Sequence, residues 1–349
     1  ERLGQLFYMQ GKEQIPTSEV VAGDIGGVAK LQFTATSDTL CDKDKQVFFN
    51  KIMFPKPVLM LAVYPKGKSD TDKVASGLLR LAEEDPTISL EQSKETNEFL
   101  LSGMGDLHLE IIASRLKKKF GVEMELEDPK VPYRETIKSS TKVEGKHKKQ
   151  SGGRGQYGHV WLELSPMPLG EGFVFEDNIF GGSVPKQYIP AVEKGVRETM
   201  VDGVIAGYPV VDIKVSLFDG SYHDVDSSEM AFKIAASMAF KKGFVEAKPI
   251  LLEPIMNVEV IVPDEYMGDV MGTLNKKRGK ILGMEPVDGQ QVVKALVPMS
   301  EMFRFALELR AMTQGWGQFT STLDHYEELP AMVTEKIIAQ YKKADENNN

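Results

Sequence analysis

The chain has 349 residues, 42% hydrophobic and 27% charged, with 51 acidic against 42 basic side chains and a formal net charge of −9. That composition fits a soluble globular protein of two to four domains at about 100–200 residues each, and it excludes one that coats nucleic acid over its whole surface, though not one with local basic patches. No apolar run reaches the roughly 18 residues of a membrane span, and a single cysteine, Cys41, excludes an internal disulfide and points to a reducing compartment such as the cytosol.

The first residues, Glu1-Arg2-Leu3-Gly4, have neither the basic nor the apolar region of a secretory signal, and the absence of an initiator Met reads as a fragment or a processed form. Residues 1–53 read as short strands and turns, the end of a larger β domain with an exposed edge. From 54 to 130 the rhythm changes. A strand is expected over 58–64 and a helix over 69–84, with Val74, Leu78, Leu79 and Ala82 at helical spacing, Ser69 or Asp70 as cap and Asp85-Pro86 as stop. Strands over 88–90 and 98–101 come next. A second helix over 106–120 carries Leu109, Ile112, Ala113 and Leu116 on one face, lysines in its last turn and Gly121 as C-cap, before a strand over 122–126. The order is βαββαβ, the ferredoxin-like pattern.

Residues 253–330 repeat that order: a strand over 255–262, a helix over 263–277 ended by Gly279, strands over 280–285 and 291–298, a helix over 300–313 with Ser300 as N-cap, and a strand over 318–326. Between the repeats, 131–252 read as a different α+β domain, with a helix over 188–202, a strand over 209–218 and a long helix over 227–243. Linkers near Pro129-Lys130-Val131 and Leu251-Leu252-Glu253-Pro254 are expected to flex. Residues 331–349 read as a C-terminal helix with a polar, disordered tail beyond Tyr341.

The middle domain carries the chemistry. Between Lys138 and Arg154 stand six basic residues against one acid, Glu144, a local charge of +5 in an acidic chain. Gly153, Gly155 and Gly158 spell a formal G-x-G-x-x-G. A dinucleotide fingerprint, however, leaves an apolar strand and opens a helix. Here lysines precede the glycines, and the residues from His159 to Leu164 alternate like a strand. A cationic glycine-rich hairpin tip suits a nucleic-acid backbone, whose phosphates accept from amides and cations. A second polar loop, Gly220-Ser221-Tyr222-His223-Asp224-Val225-Asp226, precedes the long helix and offers rings to stack and groups to hydrogen-bond bases or ribose. Lys276-Lys277-Arg278 ends a helix, where cations also serve the helix dipole. No G-x-x-x-x-G-K-[ST] loop, G-x-S-x-G elbow or metal-spaced pair among His108, His147, His159, His223 and His325 occurs. His108, inside a helix, reads as structural.

These blocks resemble a known family. Ala22-Gly23-Asp24-Ile25, Asp38-Thr39-Leu40-Cys41, the run from Ser102 to Glu110, Pro132-Tyr133-Arg134-Glu135-Thr136, the loop from Lys149 to Gly158, Ala206-Gly207-Tyr208-Pro209-Val210, Ser221 to Glu229, Leu252-Glu253-Pro254-Ile255-Met256 and Val297 to Phe303 together are similar to the C-terminal half of bacterial translation elongation factor G. The resemblance implies an α+β multi-domain chain: the end of a β-barrel domain (1–53), a ferredoxin-like third domain (54–130), a fourth domain like ribosomal protein S5 domain 2 (131–252), and a ferredoxin-like fifth domain (253–330). It implies no catalysis and no cofactor here, with GTP and magnesium bound by a missing N-terminal domain. It implies a cytoplasmic monomer whose partner is the ribosome. Gln150, Ser151, Gly152, Gly153, Arg154, Gly155, Gln156 and Tyr157, with Ser221, Tyr222, His223 and Asp224, match the two tip loops that approach transfer and messenger RNA in the acceptor site. Lys276, Lys277 and Arg278 fall where the family faces large-subunit ribosomal RNA. The function this implies is promotion of tRNA–mRNA translocation on the ribosome. Asp106, Trp316 and the segment from Gly26 to Lys30 depart from the usual pattern and hint at a paralogue rather than the housekeeping factor, so the alternative is a paralogue specialised for ribosome recycling or protection. A third reading, a nucleotide enzyme built on the glycine hairpin, predicts binding of GTP, ATP or NAD.

Overall fold

The computed structural model describes residues 1–67, 69–150, 155–287 and 289–348, the last five as backbone only, and the chain divides into two compact units, Glu1–Pro129 and Lys130–Asn349. In the first unit, β1 (Leu6–Gln10), β2 (Glu13–Thr17) and β3 (Gly27–Val28) form an antiparallel sheet ordered β2-β1-β3. The sheet is open, so no barrel closes within residues 1–53, and no residue before Leu59 is buried.

Next come β4 (Leu59–Pro65), α1 (Thr71–Glu84), β5 (Ser89–Gln92), β6 (Phe99–Gly103), α2 (Asp106–Phe120) and β7 (Met124–Glu127). The antiparallel order β5-β6-β4-β7 puts the first strand in the middle, the ferredoxin-like topology. Val74 and Leu78 of α1 and Leu109, Ile112 and Leu116 of α2 are buried, as the helical spacing predicts, but Leu79, expected on the same face of α1, is 53% exposed and Leu81 fills the core in its place. Gly121 ends α2 in the left-handed region, at φ 70°. Asp70 occupies the cap position of α1 but makes no side-chain capping bond.

His108 is a structural link, as its helical setting suggested. Its Nδ1 accepts from the Met104 amide at 3.1 Å, and its Nε2 lies 3.1 Å from Asp85 Oδ2. Burial pulls the Asp85 carboxyl pKa up, but hydrogen bonds from the Thr87 hydroxyl and amide and from His108 outweigh it, so the carboxyl titrates below its ordinary value. A depressed folded-state pKa contributes stability above the unfolded value, about 3.9, that is lost as pH falls through the folded one. Asp85→Asn is therefore expected to lower stability near neutrality and to flatten the acid limb of a denaturation-midpoint profile below about pH 4.

The second unit opens with β8 (Arg134–Ile137), β9 (Thr141–Lys149), β10 (Gln156–Pro166), β11 (Phe173–Asp177), α3 (Ile189–Asp202), β12 (Ile213–Ser221) and α4 (Glu229–Glu246). Four strands make a sheet ordered β11-β12-β10-β9, with β11 parallel to β12 and the other pairs antiparallel. The core of this middle domain includes Phe232, Phe240 and Phe244 of α4, Val192 and Val196 of α3, and Val160, Leu162 and Leu164 of β10. The sequence reading missed β8 and β11, which are short and owe their form to long-range pairing.

The last domain comprises β13 (Pro249–Val262), α5 (Met267–Lys276), β14 (Lys280–Val287), β15 (Gln290–Pro298), α6 (Phe305–Met312), β16 (Gln318–Glu328) and α7 (Ala331–Asn348). Its strand order, β14-β15-β13-β16, repeats the ferredoxin-like topology, and β8 of the middle domain adds to the same sheet against the start of β13. Three expectations change here. The helices expected over 263–277 and 300–313 begin with 3-10 turns at Asp264–Tyr266 and Met299–Glu301, each following a proline, and Ser300 lies inside such a turn rather than capping α6. The linker expected to flex at Leu251 to Pro254 lies within the single 14-residue strand β13, where all four of these residues are buried. The C-terminal helix expected from 331 is present, packed through Val333, Ile337 and Ile338 against Ala206, Leu251 and Leu329, and its backbone stays helical to Asn348, past Tyr341 where disorder was expected.

Candidate nucleic-acid interface

Strand direction decides where the loops of the middle domain emerge. β9, β11 and β12 run one way and β10 the other. The β9–β10 turn and the loop leaving β12 therefore open at the same end of the sheet.

The hairpin alternates as strands must. Val143, Val160, Leu162 and Leu164 face the core, while Glu144, Lys146, Tyr157, His159 and Trp161 lie on the other face. Two glycines mark where α4 crosses closest. A Cβ at Gly145 would strike the Ala235 carbonyl, and one at Gly158 would strike the Ala231 carbonyl. Gly158 thus serves helix-on-sheet packing, and the glycines lead into a strand, not a helix. Gly155 acts differently: its N–H donates to Asp226 Oδ1 at 3.0 Å, while the Tyr157 amide donates to the Asp226 carbonyl at 2.9 Å.

The second loop is built on its own hydrogen bonds. Ser228 caps α4 by accepting from the Ala231 amide. Ser227 Oγ accepts from the His223 amide at 2.9 Å, and the Ser227 amide donates back to the His223 carbonyl at 3.1 Å. His223 Nδ1 accepts from the amides of Val225 and Asp226 at 3.4 and 3.3 Å. The imidazole is fixed through one nitrogen, and in the neutral ring the proton sits on Nε2.

The two loops meet. Ser221 Oγ lies 2.7 Å from both Tyr157 OH and His159 Nδ1. His159 Nε2 is 2.9 Å from Glu144 Oε1, in ion-pair contact but off the line of a hydrogen bond. The rings of Tyr157 and His223 stand 6.4 Å apart, and the Lys146 ammonium lies 5.9 Å from the Tyr157 centroid. His147 Nε2 is 2.9 Å from Gln156 Oε1 across the hairpin. Tyr222 and the His223 side chain are 47% and 57% exposed, so both reach solvent. Gln150, Lys146, Lys148, Lys149 and Asp224 are exposed too. Ser151, Gly152, Gly153 and Arg154 lie outside the described residues. The sequence reading left Asp226, His159 and Glu144 off the site. Asp226 stood in the quoted loop, but its bond to Gly155 crosses 71 residues and leaves no local signal.

Residues 54–128, 129–248 and 250–337 match the models for elongation factor G domain III, elongation factor G domain IV and the elongation factor G C-terminus, in that order. The chain belongs to the elongation factor G family. It is also similar to the crystal structure of a protein from Thermus thermophilus, at 41% identity and a TM-score of 0.79, over 98% of this chain and 52% of that one. The chain thus spans about half the length of that relative.

The converging loops belong to domain IV of the family. The third group of candidate contacts lies in the C-terminal domain, and there the structure divides it. Lys276 is exposed. Lys277 is turned inward, its ammonium 2.9 Å from Glu308 and 3.1 Å from the Glu301 carbonyl, with its side chain only 15% exposed. Arg278, at φ 58°, holds the buried Glu253 with two parallel bonds of 2.7 and 2.9 Å. Trp316 is 66% exposed beside two left-handed residues, Gln314 and Gly315.

Proposed function

We propose that this chain is the ribosome-engaging part of a translational GTPase, and that domain IV is an arm whose paired tip loops enter the acceptor site during tRNA–mRNA translocation. The observation that carries this reading is the convergence of the two loops at one end of domain IV, with His223, Tyr222, Lys148 and Lys149 exposed beside one another in sequence or space. In this reading His223 offers Nε2–H to an RNA acceptor, Tyr222 stacks, and the lysines and Arg154 meet phosphates. No bond is made or broken at the tip. GTP hydrolysis, with magnesium, belongs to a guanine-nucleotide domain outside these residues and gates the movement. The setting is the cytoplasm, the protein a monomer and the partner ribosomal, transfer and messenger RNA, with Lys276 as a secondary contact to ribosomal RNA.

The test is translocation by the protein joined to its guanine-nucleotide domain, together with ribosome affinity as a function of salt. His223→Ala or Arg154→Ala is expected to slow translocation about tenfold, equivalent to about 1.4 kcal/mol. Each phosphate contact releases counterions, so Lys148→Gln with Lys149→Gln should flatten the log–log salt slope by roughly 1–2. Normal rates in both single variants, or a wild-type affinity indifferent to salt, would defeat the tip assignment. Trp316, exposed where the family usually has a basic residue, favours a second reading, a paralogue that recycles or protects ribosomes. Subunit splitting without translocation would decide for it.

A further inference from the structure

Two of the sequence blocks that mark the family, Pro132 to Thr136 and Ala206 to Val210, have no part in the tip. The structure joins them through one side chain. Glu135 is fully buried, at 0% exposure, and its carboxylate accepts from four backbone amides: Val204 and Ile205 on Oε2 at 2.7 and 3.0 Å, Ala206 and Tyr208 on Oε1 at 2.8 and 3.2 Å. No cation among the described residues pairs with it. Its backbone joins the same segment, the amide donating to the Pro209 carbonyl at 3.0 Å and the carbonyl accepting from the Val211 amide at 2.9 Å.

What those contacts connect gives them a meaning. The segment 203–208 is the exit from α3, which runs back from the tip end of domain IV. It is shaped by left-handed Gly203 and Gly207, at φ 74° and 72°. Glu135 itself sits in β8, paired with Leu251 of β13, and β13 continues without a break into the centre of the C-terminal sheet. Loop residues Ala206 and Tyr208 pack with Leu251, Leu329 and α7, and Tyr208 meets Tyr133 edge-on at 5.3 Å. A lone buried carboxylate costs several kcal/mol of desolvation, which charge-assisted amide bonds offset only when all are made. Such a group is a poor source of bulk stability and a good device for fixing one geometry.

We propose that Glu135 is the positioning residue of the arm: by gathering the amides of 204–208 onto a strand of the C-terminal sheet, it fixes the direction in which domain IV points from the C-terminal domain. The use made of that direction rests on the translocation reading above, but the joint is tested without ribosomes. Glutamine at 135 keeps the shape yet presents N–H where an oxygen stood, so one pair of amides loses its acceptor. Aspartate keeps the charge but is too short to serve both pairs.

The experiment is pulsed electron spin–spin distance measurement on the full chain, with Cys41→Ser and spin labels on introduced cysteines. Asp219→Cys with Leu282→Cys spans the two domains, and Asp219→Cys with Met238→Cys, at an exposed position of α4, lies within domain IV away from the segment that Glu135 holds. In Glu135→Gln the interdomain distribution should broaden or shift while the intradomain one stays as in wild type. Amide exchange should accelerate at Val204, Ile205, Ala206 or Tyr208 and not in α4. If Glu135→Gln does not fold, Glu135→Asp is expected to show the same pattern in milder form. Unchanged interdomain distances in the folded variants, or equal broadening of both pairs, would overturn the assignment, since the carboxylate would then be irrelevant to the joint or merely part of domain IV stability. Loss of tip function with the joint intact would bear on the translocation reading alone.

Discussion

Gly158→Ala is expected to destabilise domain IV by about 1–3 kcal/mol, the cost of forcing a methyl group into a filled core. The reason is the identity of the atoms a Cβ would meet. They are the Ala231 carbonyl carbon and oxygen and the Phe232 amide nitrogen, all backbone in the first turn of α4, and backbone cannot rotate aside as a side chain can. To admit the methyl group, the start of α4 must move away from β10. That start carries the Ser228 cap, and just before it Asp226 holds Gly155 and Ser227 holds His223. One substitution in a strand should therefore lower the denaturation midpoint and also loosen the tip. Gly155→Ala is the control. The three atoms nearest its Cβ all belong to the Asp226 carboxylate, at 2.9 to 3.1 Å, a side chain that can shift where backbone cannot. It should cost far less in stability while weakening the bond between the loops. Equal midpoints for the two variants would refute the close-packing account of Gly158.

This pair also shows how far the sequence was legible. A G-x-G-x-x-G was visible, and its context argued against a nucleotide loop because lysines stand before it and a strand after it. The context did not reveal that the last glycine is there for α4, some seventy residues further on. The same division holds elsewhere. The helix over 106–120 was readable to the residue because its apolar stripe, its terminal lysines and the left-handed Gly121 are all local signals. Both ferredoxin-like repeats were readable as an order of elements. The joint between domain IV and the C-terminal domain was not. Leu251 to Pro254 read as a linker because it stands where the middle domain meets the second ferredoxin-like repeat. In the fold, Glu253 is neutralised by Arg278, and Pro254 is accommodated within a strand paired on both sides nearby. Tertiary partners convert apparent punctuation into continuous structure, and no window of sequence contains those partners. At the tip, Gln150, Gln156, Tyr222, His223 and Asp224 are exposed, whereas Tyr157 and Ser221 are part-buried and bonded to each other. Two of the residues that hold the loops together, Asp226 and His159, bond across 71 and 62 residues, which no local window shows.

Arg278 sharpens the distinction between a contact for a partner and a contact for the fold. The family resemblance groups it with Lys276 and Lys277 as a face for ribosomal RNA. Its guanidinium, however, grips a carboxylate that is 4% exposed and adds bonds to Glu301 and Ser300 at 3.4 and 3.3 Å. Arg278→Ala strands the Glu253 charge in the protein interior, and removing one partner of such a pair costs about 3–5 kcal/mol. The C-terminal domain should lose that stability in a denaturant titration. Replacing both, Glu253→Met with Arg278→Met, should recover most of it, because no unpaired charge is left behind. Lys276 makes the opposite prediction. Exposed on the last turn of α5, it contributes little to the fold, and Lys276→Gln should leave the midpoint within about 0.5 kcal/mol. If the C-terminal domain does face RNA, the same variant should reduce the salt slope of ribosome binding by about 1. An Arg278→Ala variant as stable as wild type would show that the Glu253 pair carries no weight. A Lys276→Gln variant with an unchanged slope would remove the C-terminal domain from the electrostatic footprint and leave the tip of domain IV to account for it.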